Sequence, residues 1–195
     1  AWSALSELGH TTEDSAEAAL ASFSFHAGPE EAALGADFVQ ESAPERQDVK
    51  TDLLARIDAA LPSDRVIATS TSGFGVSVIG GAMKYPERLV VGHPFNPPHL
   101  IPLVEVVGGA LTAPEAIETA MTFYAQTGKR PIHIRKEVSG HLANRLQAAL
   151  WREAVHCVAE GVASVADVDA AIAYGPGLRW ALMGPNLTFH LAGGE

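Results

Sequence analysis

The chain has 195 residues, 47% of them apolar, and a formal net charge of -10, which is enough apolar material for one large domain, or one and a half, with a substantial core. The acidic balance and the lack of a Lys/Arg cluster argue against a nucleic-acid partner, because binding to phosphates needs a basic face. The single cysteine, Cys157, excludes an internal disulfide framework and a cysteine metal site, and no apolar run is long enough to span a membrane, so we expect a cytoplasmic protein with no metal.

Strand-like and helix-like stretches alternate along the first two thirds of the chain. The patterns predict strands over 22–26, 36–41, 65–69, 90–91, 103–107 and 130–134, and helices over 1–8, 29–34 and 114–127. A long amphipathic helix is predicted between the second and third of these strands, with Leu54 and Ile57 on its apolar face, and a weak helix ends near Met83. This alternation predicts an α/β fold with a parallel sheet and helices on both of its faces.

The pattern changes after Lys136, where the strand signals stop. A long helix is predicted over 140–161 and a shorter one over 165–174, which places a domain boundary near 135–140. Asn144 lies on the apolar side of the long helix, where an amide without hydrogen-bond partners is costly. It is therefore a candidate site residue, although it could also bond a neighbouring backbone group. Cys157 is interpreted as a small core residue without reactivity.

His93 and Glu105 form the strongest candidate pair for catalysis. His93 follows an apolar strand, Glu105 lies inside the next one, and a Pro-rich turn joins the two. Neighbouring strands can bring these side chains into hydrogen-bond reach, and a Glu in a Val/Leu run needs a partner when it is buried. A carboxylate that orients an imidazole is a common acid/base arrangement. The alternative is a satisfied core histidine and a carboxylate at a strand edge.

Further polar residues follow the predicted strands. In an open parallel sheet, ligands bind outside the carboxyl ends of the strands, so Ser72 and His93 are expected on one rim, where both can approach one substrate oxygen. Glu45 and Lys50 are expected on the same rim; the alternative is an exposed carboxylate and a solvated lysine. Gly73 and Gly75 do not form a cofactor fingerprint, because the third glycine is missing.

Taken together, these motifs resemble the NAD-dependent 3-hydroxyacyl-CoA dehydrogenase family. The resemblance rests on the turn STS (70–72) and on the runs GHPFNP (92–97), LVEV (103–106) and GHLANRL (140–146), which occur in the family's order over nearly the whole chain. The runs HPFNP and YGPGLRWA (174–181) resemble most the branch that holds carnitine 3-dehydrogenase, L-gulonate 3-dehydrogenase and lambda-crystallin.

The resemblance implies a catalytic role for four residues. His93 matches the general base that takes the proton of a 3-hydroxyl while a hydride passes from the same carbon to NAD, and Glu105 matches the carboxylate that orients it. Ser72 and Asn144 match residues that bond the substrate oxygen. The implied substrate is a carnitine-like 3-hydroxy acid or a 3-hydroxyacyl-CoA.

The resemblance also implies the contacts of the cofactor and of the substrate. Glu45, Lys50, Ser72 and Asn96 match positions on the NAD side of the cleft. Trp180 is expected to face a quaternary ammonium through cation–π attraction if the substrate is carnitine.

The chain departs from the family at both ends. It contains no Gly-x-Gly-x-x-Gly turn, so residues 1–136 are interpreted as a Rossmann-like dinucleotide-binding domain without its first strand-helix-strand unit, and 137–195 as the start of an all-α C-terminal domain. The chain is expected to be an interior fragment that is inactive by itself.

Several alternatives stay open. A CoA ester needs basic residues near its phosphates, and Lys50, Lys84 and Arg88 form no obvious cluster, which favours a small free acid. Use of 3-hydroxybutyryl-CoA or L-gulonate remains an alternative, as does a non-catalytic crystallin-like structural role. The long helix is apolar on most sides, which indicates either a homodimer through the helical domain or further segments that cover it.

Overall fold

The computed structural model describes residues 2–9, 11 and 16–193. The chain divides into two compact units, Ala1–Leu142 and Ala143–Glu195. None of the helices in the described ranges is long and apolar enough to cross a membrane.

The first unit contains a sheet whose strand order follows the chain, β1 to β5. The strands of this sheet in the described residues are β1 (Phe38–Glu41), β2 (Val66–Thr69), β3 (Leu89–Pro94), β4 (Leu103–Gly108) and β5 (Arg130–Ile134). The α-helices described in this unit are α1 (Trp2–Glu7), α2 (Ala16–Leu20), α3 (Pro29–Ala33), α4 (Gln47–Ala60), α5 (Val76–Ile79) and α6 (Pro114–Gln126), and a short 3-10 helix covers Pro86–Arg88. The expected α/β class is therefore confirmed, with a Rossmann-like sheet.

One strand pair in the sheet is antiparallel. Strands β1, β2 and β3 are parallel, as are β4 and β5, but β3 and β4 run in opposite directions. The link between Pro94 and Leu103 contains no helix and is shorter than the dozen or more residues that a parallel crossover needs, so the chain reverses. The sheet is thus mostly parallel, where the sequence pattern predicts a fully parallel one.

Apolar side chains fill the space on both faces of the sheet. Alternate strand residues such as Ile67 and Val91 pack with Leu54 of α4, and Val90 and Val106 belong to a second cluster with Ala120 of α6. Successive strand residues point to opposite faces, so a strand covered on both sides is apolar throughout. This explains why β2 and β3 lack the alternation of a half-exposed strand.

The predicted strand over 22–26 is wrong. The segment is irregular, and its side chains Phe23 and Phe25 are 63% and 87% exposed. The Ser22 hydroxyl donates to the carbonyl of Ala19 at 2.7 Å, so this residue closes the turn after α2. Residues 22–26 pair with none of the described strands, and β-rich composition alone does not make a strand without such pairing.

The second unit is helical in its described residues. Its helices are α7 (Ala143–Ala159), α8 (Val165–Ala173), α9 (Pro176–Trp180) and α10 (Pro185–Leu191). Ser164 caps α8, because its hydroxyl accepts the N–H of Asp167. Several large apolar side chains of α7 are exposed, among them Leu146, Trp151 and Val155.

Candidate active site

His93 and Glu105 lie directly opposite each other in the antiparallel pair β3–β4. The imidazole Nδ1 is 2.9 Å from Oε2 of Glu105, and both residues are buried. A carboxylate oxygen accepts hydrogen bonds, so Nδ1 of His93 carries the proton and donates it. The neutral ring then has its lone pair on Nε2. The backbone N–H of Leu142 donates to the second oxygen of Glu105, at 2.9 Å, which helps to offset the cost of burying the carboxylate.

Ser72 occupies the loop after β2, next to the second ring nitrogen of His93. Its hydroxyl oxygen is 3.2 Å from Nε2. Strands β2 and β3 are parallel, so their carboxyl ends meet at one edge of the sheet and bring the loop and the imidazole together. A hydroxyl and an imidazole nitrogen at this distance can both contact one oxygen of a small molecule.

Glu45 holds this loop in place. Its Oε1 accepts hydrogen bonds from the Thr71 hydroxyl at 2.6 Å and from the backbone N–H groups of Ser72 and Gly73 at 3.0 Å each. Partial burial alone would raise the pKa of Glu45, but these hydrogen bonds and the charge of Lys50 outweigh it, so the pKa is lowered. The second oxygen, Oε2, faces Lys50, whose Nζ is 3.6 Å away.

Lys50 is buried in an ion pair. Its Nζ lies 2.9 Å from Oε1 and 3.0 Å from Oε2 of Glu41, and 3.1 Å from the carbonyl oxygen of Ala43. The Thr69 hydroxyl also donates to Glu41. The Lys50 side chain is only 1% exposed, so the alternative of a solvated lysine is wrong. The cost of burying the Lys50 amine is offset because Glu41, the last residue of β1, presents a carboxylate to the first turn of α4.

A second polar network lies beneath His93. Gln40 donates to the Ser70 hydroxyl at 3.0 Å and to the carbonyl of Gly92 at 3.2 Å, and it accepts the Tyr124 hydroxyl. Burial raises the pKa of Tyr124, so its hydroxyl stays protonated as this donation requires. The network fixes the backbone of the residue that precedes His93.

His141 contacts the same region from the end of the first unit. Its Nε2 lies 2.8 Å from the carbonyl oxygen of Thr71, and the centroid of its ring is 5.1 Å from that of His93. It is buried, and its φ of 50° is unusual for a residue with a side chain. Sequence reasoning assigned no role to His141 or Glu41. The position of Glu41 at the end of a strand could have indicated its role from the sequence. The role of His141 is visible only in the tertiary contacts.

The remaining predicted residues lie elsewhere. Asn96 is exposed two residues beyond β3. Asn144 is half-buried in the first turn of α7, and Trp180 ends α9 with 36% exposure, so both belong to the second unit. Among the described side chains, no group of three His, Cys, Asp or Glu residues is arranged to hold a metal ion.

The sheet and the strand-end loops define the chain as a Rossmann-like α/β protein followed by a helical region. The model of the 3-hydroxyacyl-CoA dehydrogenase NAD binding domain matches residues 1–138, and that of the C-terminal domain matches residues 140–195. The chain belongs to the 3-hydroxyacyl-CoA dehydrogenase family, as the motifs predict.

Individual relatives refine this comparison. L-carnitine dehydrogenases of Streptomyces griseus and of a Pseudomonas species are 57% and 54% identical over the whole chain, which spans only 57% and 60% of their lengths. The crystal structure of 3-hydroxybutyryl-CoA dehydrogenase from Escherichia coli is 31% identical with a TM-score of 0.79, over 87% of this chain and 36% of that protein.

Proposed function

We propose that the chain carries the catalytic part of an NAD-dependent oxidoreductase that oxidises the 3-hydroxyl of a small, carnitine-like 3-hydroxy acid. The observation that carries the proposal is the buried His93–Glu105 pair at 2.9 Å, with Nε2 of His93 directed to the Ser72 hydroxyl. The similarity to enzymes named L-carnitine dehydrogenase supports the substrate class.

The protein's own part in the reaction is to move and stabilise a proton. Nε2 of His93 accepts the proton of the substrate hydroxyl as the carbon–oxygen bond becomes a carbonyl. The imidazolium that forms stays paired with Glu105, whose charge is held close by the hydrogen bond at Nδ1. Ser72 and Asn144 are assigned to the substrate oxygen, where hydrogen-bond donors stabilise developing charge.

NAD, when bound, supplies the carbon that receives the hydride. The chain matches the NAD binding domain model over 138 residues, and Glu45 and Asn96 present polar atoms that solvent reaches, which suits them for cofactor contact. Lys50 is assigned an indirect part, because its buried amine contacts Glu41 and Ala43 and reaches the cofactor side only through Glu45.

The charges of the first unit favour a free acid over a CoA ester. Arg88 is buried and its guanidinium is bonded to Asp58 at 2.7 Å, while Lys50 is bonded to Glu41. Lys50 and Arg88 are therefore occupied inside the protein and are not available to a CoA phosphate. Lys84 is exposed, but one solvated lysine is a weak phosphate site.

The test is NADH formation by the protein at its full natural length with L-carnitine, L-gulonate and 3-hydroxybutyryl-CoA in parallel. L-carnitine is expected to give the highest kcat/KM, and Trp180→Ala is expected to raise its KM. Trp2→Ala, at a tryptophan of α1 that is 37% exposed, is the matched control. Preference for either other substrate contradicts the carnitine assignment. No NADH from any of the three favours a non-catalytic scaffold and contradicts the proposal.

The state and location of the protein form a separate part of the proposal. The exposed apolar side chains of α7 support a homodimer through the helical domain. The presence of a single cysteine supports a location in the reducing cytoplasm. Sedimentation of the full-length protein as a monomer would contradict the dimer.

A further inference from the structure

Two adjacent residues at the end of the first unit donate hydrogen bonds to the loop that holds Ser72 and to Glu105. Nε2 of His141 donates to the carbonyl oxygen of Thr71, at 2.8 Å, and the N–H of Leu142 donates to Oε1 of Glu105, at 2.9 Å. We propose that His141–Leu142 is a strap that sets the position of the Ser72 hydroxyl relative to His93, with His141 as a positioning residue. This inference rests on the proposed function.

The position of Ser72 depends on its loop, because the residue belongs to no helix or strand. The peptide group that joins Thr71 to Ser72 is held at both of its polar atoms. Its oxygen accepts from His141, and its N–H donates to Glu45 at 3.0 Å. Since a peptide group is planar, fixing both atoms fixes the plane from which the Ser72 side chain departs.

The chemistry of His141 indicates that its polar edge, and not its bulk, is what the site uses. Nε2 must carry a proton to donate to a carbonyl, so the neutral ring has its lone pair on Nδ1. Within the described residues, that buried Nδ1 has no hydrogen-bond partner. An apolar ring of similar size would avoid the cost of an unpaired nitrogen. The imidazole is therefore explained by the bond from Nε2 to Thr71.

The other half of the strap acts on the carboxylate. Glu105 receives the Leu142 N–H on Oε1 and the His93 Nδ1–H on Oε2. The left-handed backbone at His141, with a φ of 50°, turns its side chain and the next N–H to these two targets. The ring of His141 also lies beside that of His93, with centroids 5.1 Å apart. One dipeptide thus fixes both the hydroxyl side and the carboxylate side of the imidazole.

The experiment compares kcat and KM for L-carnitine in the wild type, His141→Phe and His141→Gln, all at full natural length. His141→Phe keeps a ring but removes the donor, so kcat is expected to fall about 10- to 100-fold through misplacement of Ser72, with KM changed by less than about 3-fold. His141→Gln is expected to recover part of kcat, because its amide N–H can reach the Thr71 carbonyl. His133→Phe, a change at an exposed histidine of β5, is the matched control and should leave both constants unchanged.

A spectroscopic measurement keeps the test independent of turnover. Nitrogen NMR of the wild-type imidazoles should show the neutral His141 ring protonated at Nε2, and protonation at Nδ1 would overturn the strap. The positioning role alone is overturned if the wild type forms NADH and His141→Phe has the same kcat as the wild type. It is also overturned if the wild type forms NADH and His141→Gln has a kcat no higher than that of His141→Phe. A wild type that forms no NADH overturns the proposed function and this role with it.

Discussion

At the residue scale, Gly92 shows how closely the sheet packs behind His93. A Cβ at this position would lie 2.6 Å from Cζ of Tyr124 and even closer to its hydroxyl. The Tyr124 side chain is buried and bonded to Gln40, so it cannot move away without breaking that hydrogen bond. Glycine is therefore required here for space, and the requirement falls on the residue next to the proposed base.

Gly92→Ala is predicted to destabilise the protein by about 1–3 kcal/mol, the usual cost of overpacking a core. Chemical unfolding measures this loss. Gly81→Ala is the control, because a Cβ there meets only an ordinary contact at 3.5 Å from the Val78 carbonyl. Equal free energies of unfolding of the two variants would show that the Tyr124 side chain moves aside at little cost.

Glu45 gives a prediction with a defined pH dependence. Its pKa in the folded protein is lowered, so it stabilises the fold above the ordinary glutamate pKa of 4.5, and this stabilisation is lost as the pH falls through the lowered folded value. Glu45→Gln is predicted to cost about 1 kcal/mol at neutral pH, a value reduced because the side chain is partly exposed.

The measurement for Glu45 is the free energy of unfolding of wild type and variant from neutral to acidic pH. The difference should shrink towards the acid end, and Glu87→Gln, at another exposed glutamate, is the matched control variant. A difference that is the same at all pH values would mean that the charge of Glu45 does not hold the loop.

Sequence reasoning placed some of these residues and missed others. Ser72 and His93 could be assigned to one rim because both follow strands of a parallel set. The burial of Lys50 could not be foreseen, since it depends on Glu41 at the end of β1, a contact set by the crossing of α4 over the sheet. His141 was missed because its partner Thr71 is 70 positions away and no local pattern joins them.

At the element scale, the Lys50–Glu41 pair joins the first turn of α4 to the end of β1. Lys50→Met is predicted to lower the free energy of unfolding by about 3–5 kcal/mol, because it leaves the Glu41 carboxylate buried without its cation. Arg56→Met, which breaks the exposed pair with Glu30, is the matched control and should cost less than about 1 kcal/mol.

Thermal or chemical unfolding of the two variants provides the measurement. Similar losses would contradict the account, because they would mean that burial adds nothing to the pair. The variant Lys50→Met/Glu41→Gln should recover part of the loss, since no buried charge then remains unpaired.

Most strands and helices were predictable, and the exceptions have physical causes. The strand Arg130–Ile134 agrees with its prediction residue for residue, since the helix-ending Gly128 precedes it and the charged pair Arg135-Lys136 follows it. The antiparallel pairing of β3 with β4 depends on the length of the Pro-rich link rather than on the composition of either strand. The segment 22–26 has the composition of a strand but lacks a pairing neighbour.

At the scale of the whole molecule, the residues proposed for the proton chemistry lie in the first unit. His93, Glu105 and Ser72 all lie in Ala1–Leu142, and their mutual distances are set by the β3–β4 register and the loop after β2. The helical unit Ala143–Glu195 carries Asn144 and Trp180, whose roles remain proposals. The sequence motifs predicted the family, which the domain models confirm, because the motifs occur in order over the chain.

The most direct test of the central claim is NADH formation from L-carnitine by the full-length wild type and by His93→Gln, with the folded state of both checked by thermal unfolding. The wild type is predicted to turn over, and the variant to lose about 100- to 10,000-fold in kcat while it remains folded, because the proposed acceptor of the hydroxyl proton is then missing. A folded His93→Gln variant that retains the wild-type kcat would contradict the claim that His93 is the general base.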